Sequence, residues 1–331
     1  MALTRLVDVD KAIPELWAKE LLVDAEKFMF WKDYEGAQGS GMPVIRKDEL
    51  TKQAGDTVRI ITMSHLSGAG QTGDTANLTD NEEALSIGEV VLTLAIKAHA
   101  VKYTKYADKQ AIFDIRSAAQ GRLAYWLADK LDQSMFKVAS LAATYNLYGG
   151  SATGDAGLGT GDVFNTTAIN KIKTKLVDNR ALPIKTQDGK AYYIIVVHPY
   201  DAYNLRADSV WQQAQREANL RGEMANPIFT GALGVYNGCI IRESQNVPNG
   251  NVNATTGADG GIGSGVANVS HVIAFGGEAF ARAYGQYPSW LEETKDYGRK
   301  LGIGTDVVFS DKRAVQKNAL VGHYYAKNPN A

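Results

Sequence analysis

Three consecutive runs decide the fold: TVRIITM (Thr57–Met63), SGAGQTGDTANLTDNEEALSIGE (67–89) and VVLTLAIKAHAVKYTKY (Val90–Tyr106). The first is rich in β-branched residues and reads as a strand. The third reads as a longer strand. Leu92, Leu94, Ile96, Ala98 and Ala100 point one way along it, and Thr93, Ala95, Lys97, His99 and Val101 the other. More than twenty residues of Gly, Thr, Asn and acids lie between them. Connections of that length are uncommon inside a compact domain and usually serve a function. A lone two-stranded hairpin is marginal in water. This one therefore joins a larger sheet or lies against another molecule.

Outward from the hairpin, residues 108–144 read as one long helix. Ile112, Ile115, Ala119, Leu123, Trp126, Leu131, Met135, Val138 and Ala142 form its apolar stripe, and Asp108 is a plausible N-cap. Roughly 35 residues at about 1.5 Å each give a rod of about 50 Å, long for a globular domain. It lacks sustained heptads, so it reads as a spine on which a sheet rests rather than a coiled coil. On the N-terminal side, Trp17, Leu21, Ala25 and Phe28 recur at helical spacing behind Pro14. A Gly36–Gly41 tether follows Trp31. Such an arm docks either on its own domain or on a partner, which makes Trp17, Phe28 and Trp31 contact candidates.

Residues 163–282 read as an α/β unit. Helices are expected over 166–180, 199–207 and 210–221, and strands over 191–198, 238–244 and 270–275. Glu278 to Tyr284 reads as a short helix or bend, and 249–268 as an exposed loop. Extended runs at 291–297 and 304–309 precede a last strand at 316–325.

The chain has 331 residues, 45% hydrophobic and 21% charged, with a formal net charge of -1. These values exclude a disordered chain and argue against a dedicated nucleic-acid binder, which shows a basic excess. The single cysteine, Cys239, allows no intrachain disulfide. The charged first thirty residues hold no signal-peptide core, and the most apolar run, 192–197, is far short of the about twenty residues a membrane helix needs. A soluble protein made in a cytoplasm is expected.

Motifs for chemistry are weak. Gly68-Ala69-Gly70-Gln71-Thr72-Gly73 matches G-x-G-x-x-G, but no helical stripe follows it, as a dinucleotide site would require. The histidines, His65, His99, His198, His271 and His323, are scattered and the lone cysteine builds no thiolate cluster, so no metal site is expected. The acidic pairs Glu82-Glu83 and Glu292-Glu293 are adjacent residues, which on a strand face opposite sides. No catalytic residue and no cofactor are assigned. The informative charges are Lys97, Lys102 and Lys105 on the long strand and Asp74, Asp80, Glu82 and Glu83 at the tip between Gly68 and Gly73 and β-rich sequence. Opposite charges on one extended element let one copy read the next.

The order of these blocks resembles the major capsid protein of tailed bacteriophages, an α+β chain of the Hong Kong 97-type fold, and within that group the N-four-like coat family. The likeness is carried by Gly55-Asp56-Thr57-Val58, the tip Leu66 to Leu85, His99-Ala100-Val101 and Val197-His198-Pro199. The turn Gly231 to Gly238 before Cys239-Ile240-Ile241, and Ala274-Phe275-Gly276-Gly277-Glu278-Ala279, complete it. The resemblance implies an N-terminal arm over 1–45, an extended β-hairpin loop over 46–106 and an axial domain over 165–282. It implies a peripheral domain made of 107–164, with the spine helix, and the C-terminal strands over 283–331. It further implies hexamers and pentamers closing an icosahedral virion shell around double-stranded DNA, assembled in a bacterial cytoplasm. A portal protein, a separate scaffolding protein and a decoration protein are the implied partners, with no membrane. Two other readings are an encapsulin-like nanocompartment shell of the same fold and an α/β enzyme.

Overall fold

A computed structural model describes residues 25, 28–48, 55–63, 68–73, 77, 79, 81–85, 87–112, 114–141, 144–185, 191–219, 233–249, 269–314 and 321–327. The chain enters through a 3-10 turn at Trp31–Tyr34 and two short strands, β1 (Glu35–Gly36) and β2 (Val44–Lys47). Next come the hairpin β3 (Thr57–Met63) and β4 (Ile87–Thr93), then β5 (Ala95–Thr104), α1 (Lys105–Gln110) and α2 (Ile115–Leu141). After β6 (Tyr145–Tyr148) the α/β portion runs through α3 (Thr166–Asp178), β7 (Ile184–Lys185), β8 (Ala191–Val197), α4 (Pro199–Ala207) and α5 (Ser209–Asn219). It continues with β9 (Gly234–Tyr236), β10 (Cys239–Glu243) and β11 (Val269–Phe275). Two long strands, β12 (Phe280–Lys295) and β13 (Lys300–Arg313), precede β14 (Val321–Lys327).

Two sheets share one helix. The seven-stranded sheet has the order β6-β14-β11-β8-β10-β9, with β7 paired to β8. Its central strand β8, AYYIIVV, is a nearly continuous apolar run because both faces are covered. Tyr193, Ile195 and Val197 pack with Ile169 and Ile172 of α3, Leu205 of α4 and Trp211 of α5. Ile194 and Val196 face the other way, into a cluster with Met135, Phe136 and Ala139 of α2. The five-stranded sheet has the order β1-β2-β12-β13-β5. Leu123, Leu127 and Leu131, from the first two thirds of α2, pack with Trp290, Ile303, Val307 and Phe309 on one of its faces. At about 1.5 Å per residue the 27 residues of α2 span about 40 Å, enough to serve both sheets. Part of the opposite face is covered by the hairpin: Val58, Ile60, Val90 and Leu92 pack with Ile45, Ala281 and Ala283.

Several expectations are corrected. The 108–144 helix is two helices broken at 111–114. Thr104, not Asp108, caps the first, its hydroxyl accepting from Ala107 N. At the break the Asp114 carboxylate accepts from Arg116 N at 3.0 Å, a local side-chain bond that competes with helix continuation. Ile112, expected on the stripe, is fully exposed. The Val90–Tyr106 strand divides at Leu94, whose N–H donates to Asp56 O. β4 pairs with β3, whereas β5 pairs along its length with β13, so the 46–106 block serves two sheets. The bend expected at 278–284 is the start of β12, which lies between β2 and β13 and is buried on both faces, so no alternation marks it. β14 and β6 pair within the seven-stranded sheet. The 14–24 stretch, most of the 249–268 loop and 315–320 lie outside the described residues.

Candidate assembly surface

The arm residues that the structure describes are folded onto their own chain. Trp31 has 0% exposure and meets Phe136, Phe275 and Phe280 at ring separations of 5.1–5.4 Å. Asp132 of α2 holds the entering backbone, accepting from Phe30 N at 2.6 Å and Trp31 N at 3.3 Å. Burial pushes the Asp132 carboxyl up to about 6, although those two amides and Arg282 pull the other way. Farther along, Glu278, at a positive φ of 55°, accepts from Gly39 N at 2.6 Å. Gly277 is required beside it, because a Cβ there would stand 2.5 Å from Gly41 O.

Beneath the arm lies a buried ion cluster. Arg282, with 0% exposure, donates to Glu35 Oε1 at 2.8 Å, to Asp311 Oδ1 at 2.7 Å and to Leu131 O at 2.8 Å. Burial alone would lower its pKa, but the two carboxylates reverse that and raise it well above the ordinary value. One guanidinium thus ties β1, α2, β12 and β13. Trp31 is therefore corrected from a contact candidate to a core residue. Phe28 is 58% exposed but rests edge-on against Tyr125 of its own α2 at 5.8 Å. Trp17 lies outside the described residues.

The hairpin is closed at its base and open beyond it. Its outward face carries Ile61 (60% exposed) and Ile87 (64%), with the exposed pair Arg59–Glu89 at 3.2 Å between them. At the tip, Gly68 N donates to Glu83 Oε2 at 2.6 Å, which brings the two ends of the loop together. Gly73 has φ 111°, a conformation that favours glycine. Glu82 is exposed on Asn81–Leu85, a segment without regular structure, and Asp80 lies outside the described residues. Residues 74–76, where a dinucleotide site would open its helix, lie outside the described residues.

The three candidate lysines do not share a face. Lys97 lies over the Phe309 ring at 5.5 Å, on the α2 side, where His99 also stacks on Trp126 at 4.7 Å. Lys102 borders a hollow on the opposite face with Glu293, Lys295 and Lys300. Lys105 begins α1 and donates its backbone N–H to Arg299 O, beside the β12–β13 turn. Lys102 and Lys105 thus join a basic rim with Lys295, Arg299 and Lys300. Sequence reasoning missed the Arg282 cluster. Its signal was an arginine inside the apolar run Ala279-Phe280-Ala281-Arg282-Ala283.

Elsewhere the buried titratable groups are structural. Asp201 has 0% exposure, accepts from Ser270 Oγ at 2.8 Å and is pushed up to about 7 by burial. Burial likewise pushes the Cys239 thiol up to about 11, leaving an inert core residue. Among the described residues no group of three His, Cys, Asp or Glu is placed to hold a metal ion, and no helix is long and apolar enough to cross a membrane.

Comparison with known proteins agrees with this architecture. A phage capsid protein family model matches residues 9–144 and 137–319. The major capsid protein of Pseudomonas phage KPP25 is 26% identical over 341 residues, covering 90% of this chain and 88% of that protein. Among solved structures, the capsid of Ralstonia phage GP4 superposes with a TM-score of 0.74 at 23% identity, covering 92% of each chain. The capsid of cyanophage Pam1 gives 0.73 at 21% identity, covering 91% of this chain and 92% of that one. The two-sheet, spine-helix architecture is the Hong Kong 97-type fold. The chain belongs to the phage capsid protein family: it is a structural component of the virion capsid, and not an enzyme.

Proposed function

We propose that this chain is the major capsid protein of its phage. Its copies form hexamers and pentamers that close an icosahedral head around double-stranded DNA. The observation that carries the reading is the hairpin. It is packed at its base, yet beyond Ile61 and Ile87 it presents apolar and acidic groups to solvent. Its partner is another copy, met through a heterologous contact in which two different surfaces join. The acidic tip, with Gly68, Gly73, Asp80, Glu82 and Glu83, faces the lysines of a neighbour, with Lys102 and Lys105 nearer the basic rim than Lys97. About 400 Å² of apolar surface per contact offers about 10 kcal/mol at about 25 cal/mol per Å², before the cost of ordering. The net charge of -1 keeps repulsion among crowded copies low.

The same reading gives the chain a portal protein at one vertex, a separate scaffolding chain, a decoration protein, and packaged DNA held by non-specific contact. It places assembly in the bacterial host cytoplasm. Negative-stain microscopy of the expressed chain tests it: closed shells are expected. Deleting 67–87 should leave a folded, soluble protein that makes none. Wild-type shell yield from that deletion would falsify the role of the hairpin.

A further inference from the structure

The seven-stranded sheet has a seam where β8 leaves it for α4. β11 pairs with β8 only over Ile273–Phe275, since β8 ends at Val197. The start of β11 is covered instead by the segment arriving at 247–249. His271 N donates to Pro248 O at 3.0 Å, and Asn249 forms an antiparallel bridge with Ser270.

The side chains at this seam are polar and buried. Bridged residues of antiparallel strands share a face, so Asn249 and Ser270 point the same way. Ser270 has the parity of Val272 and Ala274, which pack with Leu205, so that face is the one α4 covers. Asp201 of α4 meets it there, accepting from Ser270 Oγ at 2.8 Å through Oδ1. Asp201 and Ser270 have 0% exposure and Asn249 6%. Two oxygens are left over: Asp201 Oδ2 and Asn249 Oδ1 have no hydrogen-bond partner among the described residues. Both are acceptors when the carboxyl is ionised, and a buried acceptor without a donor is costly. A single proton on Asp201 serves both.

The neighbouring groups supply no cation in its place. Asp201 is the third residue of α4, where the His198 backbone N–H supports its carboxylate. Burial lowers the pKa of the His198 ring, which is therefore neutral at pH 7. Tyr324 of β14, on the same face, is pushed up to about 12 by burial and is neutral too. His271 has the opposite parity and meets Tyr325 edge-on at 4.4 Å on the other face. Arg206 of α4 pairs with Glu243, and Asp208 accepts from Thr166. Asn204, one turn beyond Asp201, lines an open hollow of about 260 Å³ with Asn165 and Asp208, a route for the proton.

We propose that below neutral pH Asp201 keeps its proton and donates it from Oδ2 to Asn249 Oδ1, latching the 247–249 segment and the start of β11 to α4, and that loss of this proton unlatches the seam. This goes beyond the capsid reading and does not rest on it. In the opened seam Asp201 titrates near the ordinary aspartate value, whereas in the closed one burial holds it at about 7. The opening equilibrium therefore rises by up to about tenfold per pH unit between about pH 4 and about pH 7, then levels.

Hydrogen exchange of the full chain, read at the His271 amide and corrected for its intrinsic pH dependence, tests this. Protection should fall at least tenfold from pH 5 to pH 7. At pH 7 it should be at least tenfold below that of Val307 in β13, because the seam opens without the rest of the fold. Asp201→Asn, whose amide donates in place of the proton, should stay level within threefold over that range. Asn249→Ala removes the acceptor and should shrink the wild-type fall at least threefold. Protection that does not change with pH, that equals Val307 at pH 7, or that falls fully in Asn249→Ala overturns the latch. If Asp201→Asn does not fold, infrared spectra of wild type and Asn249→Ala at pH 6 decide. A carboxylic acid C=O band that shifts in Asn249→Ala supports the bond, and an unshifted band overturns it.

Discussion

The junction around Arg282 and the rim at β5 lie in the same sheet, and they are built on opposite terms. At the junction, every charge has its counter-charge inside the chain: Arg282 with Glu35 and Asp311, and Arg46 with Glu35 and Asp48. At the rim, β5 has only one neighbouring strand among the described residues, and the ion pairs there, Lys295 with Glu293 and Lys300 with Asp296, are exposed. The junction explains how a single copy holds its arm. The rim leaves one edge of β5 unpaired among the described residues. Burial, not sequence position, separates the two roles, since an arm residue such as Trp31 is core and a sheet residue such as Ala98 is surface.

The contrast can be broken most sharply at Arg282. Arg282→Met leaves Asp311 buried without its cation and Glu35 with only Arg46, and a loss of about 3–5 kcal/mol in unfolding free energy is expected. Denaturant titration measures it, and a loss below 1 kcal/mol would mean that the cluster does not hold the arm. The next effect is one of pH. The Asp201 carboxyl is raised to about 7 in the fold by burial, whereas the unfolded chain titrates near the ordinary aspartate value. The unfolded state therefore loses its proton first, and stability declines as pH rises from about 4 to about 7, then levels. At about 1.4 kcal/mol per pKa unit the decline is at most about 4 kcal/mol. Asp201→Asn should flatten that part of the stability-against-pH curve, and an unchanged slope would place the titration elsewhere. The smallest effect on the single copy belongs to the rim. Lys102→Glu with Lys105→Glu should change folding stability by no more than about 0.5 kcal/mol while shell yield, counted by microscopy, falls severalfold. Equal losses of stability and of shells would erase the distinction between the two regions.

Legibility from sequence followed the same division. α3 and β8 were readable because one has a clean helical stripe and the other an apolar run bounded by Pro199. The start of β12 was not, since Ala279 through Ala283 are all buried and a strand covered on both faces loses its period of two. The start of a second helix at Ile115 has a modest signal, Asp114, whose carboxylate accepts from Arg116 N in the first turn. For the assembly surface, the opposite charges of tip and strand were visible as composition. The period of two separated Lys97 from Lys102, as observed, but did not tell which of the two faces α2 covers. Aromatic spacing in the arm likewise carried no information about which molecule would bury Trp31.

The division of the strand at Leu94 has a mechanical consequence. Leu94 is the single residue between the hairpin strand β4 and the sheet strand β5, and its amide is moored to Asp56 O. Gly285 of β12 gives its side chain room, since a Cβ there would stand 2.5 Å from Leu94 Cδ1. Any change in the angle between hairpin and sheet therefore has to turn about that one residue, and a larger residue at 285 would push on the pivot.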